Sequence, residues 1–226
     1  MSIGRQIGTI LMKDLLLEWR SRARILSVVL FGIVALSLFA FAAGADTPML
    51  QRYGPAYLVL TLLLSSTLAL TEGFRVENED RAIEGLLLLP VDPAAIFYGK
   101  ALGNTLFLAL LGPVLVGAAI VFYALEVGPA AVAKLLGLWA LAAAGLSAPG
   151  TLYAAMTSQI RGQEVLLPIV HYPLVIPVLL AAVKSFDLVL NGDPMSQMTS
   201  WLGVLVAFSL IYWSVGGVLF RFVIEE

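Results

Sequence analysis

The sequence has 226 residues, of which 60% are hydrophobic and 12% are charged, with a net charge of −2 and no cysteine. Soluble domains carry about 25% charged residues and about 45–50% apolar ones, so this composition excludes a water-soluble fold and indicates an integral membrane protein. The weak net charge gives no case for nucleic-acid binding, and the lack of cysteine excludes disulfides and thiolate metal sites within the chain.

The first 24 residues have an amphipathic pattern. Five apolar residues follow one another four apart, at Ile3, Ile7, Leu11, Leu15 and Trp19. Asp14 and Glu18 interrupt the basic residues of this segment, which argues against a cleavable signal peptide. The pattern predicts a helix over 1–24 that lies in the membrane interface, the alternative being a solvated helix packed on a partner.

Six long segments without charge follow this first helix. A bilayer core about 30 Å thick needs roughly 20 helical residues, which each segment can supply. Their apolar residues are continuous rather than alternating, which excludes a transmembrane β-barrel. The sequence therefore predicts an all-α integral membrane protein in which residues 1–226 form one domain. The predicted spans cover 25–45, 53–71, 101–125, 135–160, 165–183 and 197–220.

Lysine and arginine set the predicted orientation. With the N-terminus in the cytoplasm, ten of these residues lie in the cytoplasmic segments and three lie outside, at Arg52, Lys134 and Lys184. Cytoplasmic loops carry such an excess of positive residues, so we expect both termini to be cytoplasmic.

The longest predicted cytoplasmic loop lies between the second and third spans. Its stretch RVENEDRAIEGLLLLPVDP, residues 75–93, holds seven charged residues and four consecutive leucines. Exposed apolar runs are costly unless they are covered, so we interpret this stretch as a short coupling helix that docks on a partner; the alternative is a solvated loop. The candidate docking residues are Arg75, Glu77, Glu79, Asp80, Arg81, Glu84, Leu86 and Leu87.

The spans contain few side chains that could act as catalytic acids, bases or metal ligands. They contain no Asp, Glu, Lys or Arg, which disfavours a membrane enzyme or an ion-coupled secondary transporter. The sole histidine, His171, is interpreted as structural and hydrogen-bonded, since one histidine without a second ligand cannot fix a metal. No phosphate-binding loop is present, so we expect this chain not to hydrolyse ATP by itself.

Proline and glycine interrupt the fourth and fifth spans. Pro149 and Gly150 lie in the fourth, and Pro168, Pro173 and Pro177 lie in the fifth. Each proline removes a helical hydrogen bond, so the fifth span is expected to be kinked or broken. These five residues are candidates for a hinge or a substrate cavity, and a packing seam in a rigid bundle is the alternative.

Two stretches carry a family resemblance. Residues 63–102 read LLSSTLALTEGFRVENEDRAIEGLLLLPVDPAAIFYGKAL, and residues 147–180 read SAPGTLYAAMTSQIRGQEVLLPIVHYPLVIPVLL. Both resemble the CcmB family, the haem-exporter membrane subunit of bacterial cytochrome c maturation. The loop pattern is shared with ABC-2 type exporters generally, and the proline-rich block narrows the resemblance to this family.

The resemblance implies an ABC-2-like permease in the bacterial inner membrane. Such a subunit works with a CcmA-like cytoplasmic ATPase, with CcmC- and CcmD-like membrane subunits and with a CcmE-like haem chaperone. It implies no bound cofactor; haem would be a transported or handled species. A permease of six spans usually needs a second half to enclose a pathway, so we also expect either a second copy of the chain or another membrane subunit beside it. The permease of another ABC-2 exporter, for a lipid, drug or polysaccharide, is the alternative.

Overall fold

The computed structural model describes residues 2–44, 46–79, 91–157 and 163–225. Within these ranges the chain forms seven α-helices and no strand. The helices are α1 (Ile3–Arg20), α2 (Arg22–Ala43), α3 (Thr47–Glu79), α4 (Pro93–Phe122), α5 (Pro129–Thr157), α6 (Gln163–Asn191) and α7 (Met198–Glu225). Helices α2 to α7 are each long and apolar enough to cross a membrane. The all-α, six-span architecture predicted from the sequence is confirmed.

The helices extend beyond the charge-free segments. Helix α4 begins at Pro93 rather than near residue 101, and α6 continues to Asn191 rather than ending near 183. A charged residue does not end a helix when its charge is accommodated. Lys100 lies inside α4 close to Asp14, and Lys184 is exposed near the end of α6, where its long side chain can reach polar surroundings.

Local side-chain chemistry sets several helix ends. Asp92 caps α4 by accepting a hydrogen bond from the amide of Ala94 at 2.9 Å, and Pro93 occupies the first helical position. Asp193 accepts from the amides of Gln197 and Met198 at the start of α7. Helix α2 ends at Ala43, and the next residue, Gly44, has a φ of +64°, a conformation that glycine adopts at little cost.

Helix α5 occupies the centre of the bundle, where it packs against α3, α4, α6 and α7. Helix α4 packs against α5 and also against α1, α2, α3 and α7, whereas α2 lies at the periphery. Large side chains fill the space between these helices and are fully buried. Examples are Leu58, Leu62, Leu108, Leu115, Leu135, Trp139, Leu146 and Phe186.

Candidate coupling and transport sites

Helix α3 carries the first part of the predicted docking stretch. Its membrane-spanning part runs over Thr47–Gly73, and the same helix continues without interruption to Glu79. Six further residues lengthen a helix by about 9 Å. The backbone of Arg75, Glu77 and Glu79 therefore belongs to a helical extension of the second span, whereas the sequence predicted a separate short helix here.

The rest of the predicted docking stretch is not part of the described structure. Asp80, Arg81, Glu84, Leu86 and Leu87 lie outside the described residues. The coupling helix itself therefore stays a prediction. The described chain resumes at Val91 and enters α4 at Pro93, so the stretch connects the ends of two spans.

Helix α1 packs against the first turns of α4, beside the end of this stretch. Ile10 of α1 is buried over Gly99, where a Cβ atom would lie 2.7 Å from the Ile10 Cγ2 atom. One turn further along α4, Gly103 faces Leu11 and the Cβ of Asp14. We call Gly99 and Gly103 the α1 groove. Small residues four apart allow two helices to approach closely, which explains why α1 lies here.

The most buried residue of α1 is not one of the five that the sequence analysis placed on its apolar face. The predicted apolar face runs from Ile3 to Trp19, but Ile3 is exposed and Trp19 is 77% exposed, while Ile10 is the buried residue. Positions four apart drift by about 40° around a helix at each step, so five of them cannot share one contact. The helix is packed on this chain's own α4, which neither sequence alternative named.

A buried charge reinforces the contact between α1 and α4. The side chain of Lys100 is 7% exposed, and its Nζ lies 3.9 Å from Oδ2 of Asp14. The other carboxylate oxygen of Asp14, Oδ1, lies 2.8 Å from Nζ of Lys13. The side-chain amide oxygen of Gln6 accepts a hydrogen bond from the amide of Asp92 at 3.2 Å. A buried lysine is costly unless it is paired, so the carboxylate stabilises this packing.

Pro149 and Gly150 lie at a junction of three helices. Both residues are buried in α5, and Gly150 faces Leu70 of α3 and the His171 ring of α6. A Cβ atom at Gly150 would overlap the end of the Leu70 side chain and lie 3.3 Å from Cε1 of His171. The absence of a side chain at Gly150 thus lets α3, α5 and α6 meet.

His171 itself is completely buried. Neither ring nitrogen has a hydrogen-bond partner among the residues that the structure describes. The sequence interpretation of a buried histidine facing neighbouring helices agrees with this position, but the expected hydrogen bond is not found there. A buried polar group without a partner destabilises the fold that contains it.

The three prolines of α6 do not join this junction as a group. Pro168 is half-buried, whereas Pro173 and Pro177 are exposed on the outside of the bundle. All three lie within a helix that continues from Gln163 to Asn191, so the fifth span is not broken. The structure therefore places Pro149 and Gly150 inside the bundle and separates them from Pro173 and Pro177.

Hydrogen bonds between spans hold α5 to its neighbours. The Asn104 side-chain amide of α4 donates to the Thr151 hydroxyl at 3.0 Å. Trp139 donates from its indole nitrogen to the carbonyl of Leu108 at 2.7 Å, while Trp213 of α7 donates to the carbonyl of Ala144. Such bonds are worth about 0.6–2 kcal/mol each within a membrane.

Aromatic residues pack at the opposite end of the bundle from the docking stretch. Tyr57 stacks on Phe39 with ring centroids 4.6 Å apart and meets Tyr123 edge to face. The buried Tyr123 hydroxyl donates a hydrogen bond to the carbonyl of Leu36 at 3.2 Å. This cluster ties α2, α3 and α4 together.

No group of three or more His, Asp or Glu side chains that could hold a metal ion occurs in the described ranges. His171 belongs to no such group on the described part of the chain.

Sequence reasoning did not single out the α1 groove or the Asp14–Lys100 pair. Gly99 and Gly103 are four residues apart in the sequence, with Lys100 between them. This spacing of two small residues is the signal that could have located the contact. The Asn104–Thr151 bond has no comparable signal, because two polar residues 47 positions apart cannot be paired from one sequence.

Comparison with known proteins agrees with these features. The family model described as CcmB protein matches residues 5–217. The chain is 30% identical over 207 residues to Heme exporter protein B of Pseudomonas aeruginosa, with 89% of each chain covered.

Two further relatives have the same name. Heme exporter protein B of Escherichia coli K12 is 30% identical over 195 residues, covering 86% of this chain and 87% of the relative. That of Bradyrhizobium diazoefficiens is 27% identical over 210 residues, with 93% of each chain covered. With a match over nearly its whole length, this chain belongs to the CcmB protein family.

Proposed function

We propose that this chain is the membrane permease subunit of an ABC transporter that exports haem for cytochrome c maturation. The observation that carries the proposal is the family match over residues 5–217, with relatives named Heme exporter protein B. The six apolar helices supply the multi-pass membrane domain that a permease needs. Membership of this family supports a non-catalytic subunit in the bacterial inner membrane.

The energy source is a separate cytoplasmic ATPase of the CcmA type. The sequence has no phosphate-binding loop of its own. The proposed contact is the charged stretch from Arg75 to Leu87, on the cytoplasmic side by the excess of Lys and Arg in the segments that share its side. Both termini lie on that side too, because six spans return the chain to its starting face.

Motion passes from the ATPase into the bundle through α3. The helix continues from the membrane to Glu79, so a displacement of its end tilts the second span as one rigid piece. Helix α4 starts on the other side of the stretch, and α1 is packed on its first turns. Closure of the ATPase dimer would therefore bias α3, α4 and α1 together between two arrangements.

Further partners are proposed on the same basis. CcmC- and CcmD-like membrane subunits and a CcmE-like haem chaperone complete the system, with ATP hydrolysis linked to release of the haem-loaded chaperone. A second copy of this chain is one way to complete the pathway.

The function is tested by deleting the gene in its own bacterium and measuring haem-stained c-type cytochromes. We expect them to be lost and to return when the wild-type gene is supplied on a plasmid. If all c-type cytochromes persist in the deletion strain, the maturation function is wrong, and export of a lipid, drug or polysaccharide by another ABC-2 system becomes the better hypothesis.

A further inference from the structure

The outward side of α6 has a chemical property that the other exposed faces lack. Helix α6 packs against α3, α5 and α7, and the opposite side is open. Val165, Ile169, Pro173 and Pro177 follow one another four apart and are exposed, with Ile176 and Leu180 beside them. Residues four apart in a helix share one side. We call these six residues the proline face.

Two backbone carbonyls on the proline face lack their usual partner. Pro173 has no amide hydrogen, so the carbonyl of Ile169 loses the donor four residues on, and Pro177 deprives the carbonyl of Pro173 in the same way. Both carbonyls belong to exposed residues within a membrane span. Lipid chains offer no hydrogen-bond donors, so such backbone is found where protein or water covers it.

The other prolines of the spans do not create the same situation. Pro55 and Pro149 are buried within the bundle. Pro113 of α4 is exposed, but the carbonyl that it deprives belongs to Ala109, which is half-buried against neighbouring helices. Helix α2, the most peripheral span, contains no proline at all. Among these prolines, the two on the proline face of α6 are therefore the ones that leave carbonyls of exposed residues without an amide donor.

Resting on the proposed function, we infer that the proline face of α6 is covered, in the assembled transporter, by a transmembrane helix of a different membrane subunit that presents hydrogen-bond donors to the carbonyls of Ile169 and Pro173. A second copy that packs across a two-fold axis beside α6 meets this demand poorly. A two-fold axis beside α6 would place the face against itself, and none of its six side chains is a donor. The partner helix carries Ser, Thr, Asn, Gln, Tyr or Trp at the contact.

Photo-crosslinking in native membranes tests this contact. The photoreactive amino acid p-benzoylphenylalanine is placed at Ile169 or Ile176, in the full chain within its own bacterium. Leu38 and Leu30 of the proline-free α2 are matched controls, because Ile169 and Leu38 are 62% and 61% exposed, and Ile176 and Leu30 are 49% and 50% exposed. The adducts are identified by mass spectrometry of the crosslinked peptides.

We expect positions 169 and 176 to crosslink to one other membrane polypeptide, within a helical turn of a donor side chain in one of its spans, while positions 38 and 30 do not. An adduct with twice the mass of this chain, no protein adduct at either α6 position, or equal yields of the same adduct from α2 would each overturn the inference.

A second variant tests the carbonyls themselves. Pro173→Ala together with Pro177→Ala restores both amides, so each carbonyl regains a partner within α6. Because the interhelical hydrogen bonds to these carbonyls would then be lost, we expect the crosslinking yield from position 169 to fall about 5-fold. Pro113→Ala on α4 is the matched control and leaves the yield unchanged. An unchanged yield in the double variant, at normal protein level, means that the carbonyls are not what the partner recognises.

Discussion

At the scale of single residues, two polar side chains are buried in different ways, one close to an oppositely charged group and the other without a hydrogen-bond partner among the described residues. Lys100 keeps a charge in the interior close to the Asp14 carboxylate. His171 is equally buried, yet neither of its nitrogens has a partner on the described part of the chain. A paired charge is lost only at high cost, whereas an unpaired neutral ring can be replaced cheaply.

Asp14→Asn should therefore destabilise the protein. It removes the carboxylate beside a buried ammonium, which we expect to lower the free energy of unfolding by about 1–3 kcal/mol. Thermal and denaturant unfolding of the detergent-purified protein measure the change. Lys13→Gln is the control, since the Lys13 side chain is 35% exposed and its pair with Asp14 should contribute less than about 1 kcal/mol. Equal effects of the two variants would show that Asp14 does not stabilise Lys100.

His171→Leu should keep cytochrome maturation, as should His171→Ala. Leucine removes two ring nitrogens that have no partner among the described residues and opens no large cavity, so the free energy of unfolding should be unchanged or rise by about 1 kcal/mol. The measurements are the content of c-type cytochromes and the unfolding midpoint of the purified variants. Loss of c-type cytochromes in a variant that remains stably folded would assign His171 a functional role.

At the scale of elements, glycine decides where helices cross. Gly99 accommodates Ile10 of α1, and Gly216 and Gly217 of α7 accommodate Phe97 and Tyr98 of α4 in the same way. The first turns of α4 are thus held from two sides by helices that approach its backbone closely. Each contact depends on one missing side chain, so each can be tested by adding a methyl group.

Gly99→Ala should loosen α1. The added methyl group would lie 2.8 Å from Cβ of Ile10, which is fixed to the α1 backbone and cannot rotate away, so α1 must shift. Overpacking of this kind costs about 1–3 kcal/mol. The unfolding free energy and the protease sensitivity of residues 3–20 measure it.

Gly8→Ala is the matched control, because a Cβ there meets nothing within 4 Å. Replacing an exposed helical glycine by alanine should stabilise α1 by up to about 1 kcal/mol. If Gly99→Ala behaves like this control, close packing of α1 on α4 is not what holds α1.

The elements themselves were largely predictable from the sequence, but their contacts were not. Bilayer thickness imposes a minimum length on every span, so charge-free segments gave the correct number of helices. They misplaced helix ends such as Pro93 and Asn191, since Lys100 and Lys184 are accommodated within helices. The outward direction of Pro173 and the pairing of Asn104 with Thr151 depend on how helices rotate against one another, which one sequence does not encode locally.

At the scale of the whole molecule, the proposed coupling route starts at the docking stretch and reaches the bundle through two helices, α3 and α4. The docking stretch follows α3 and precedes α4, and α4 carries α1 on its first turns. A force applied between residues 80 and 90 therefore reaches the second span through the α3 extension, and the first and third spans through α4. In the proposed mechanism, one ATPase contact would thus reorient half of the bundle.

Glu84→Lys should detach the ATPase. Reversing a charge at a docking contact costs about 1.4 kcal/mol or more, so the amount of ATPase that co-purifies with the permease should fall about 10-fold. Quantitative immunoblotting of the affinity-purified complex measures it. Arg52→Glu, an exposed reversal at the other end of α3, is the control and should leave the ATPase bound. Full retention of the ATPase by Glu84→Lys, and by Arg81→Glu, would remove the docking hypothesis.

The deep burial of α3 also has a consequence for how the protein is made. Of the six described spans, α3 is the most enclosed and the least hydropathic, with Thr61, Ser65 and Ser66 completely buried among its neighbours. Such a helix gains less from entering lipid alone than the more hydropathic spans do, because its hydroxyls and the nearby Arg52 favour water. During synthesis, α3 should therefore leave the translocon together with α2 or wait for α4. The helix proposed to transmit force in the finished transporter is then the one that depends most on its neighbours to enter the membrane.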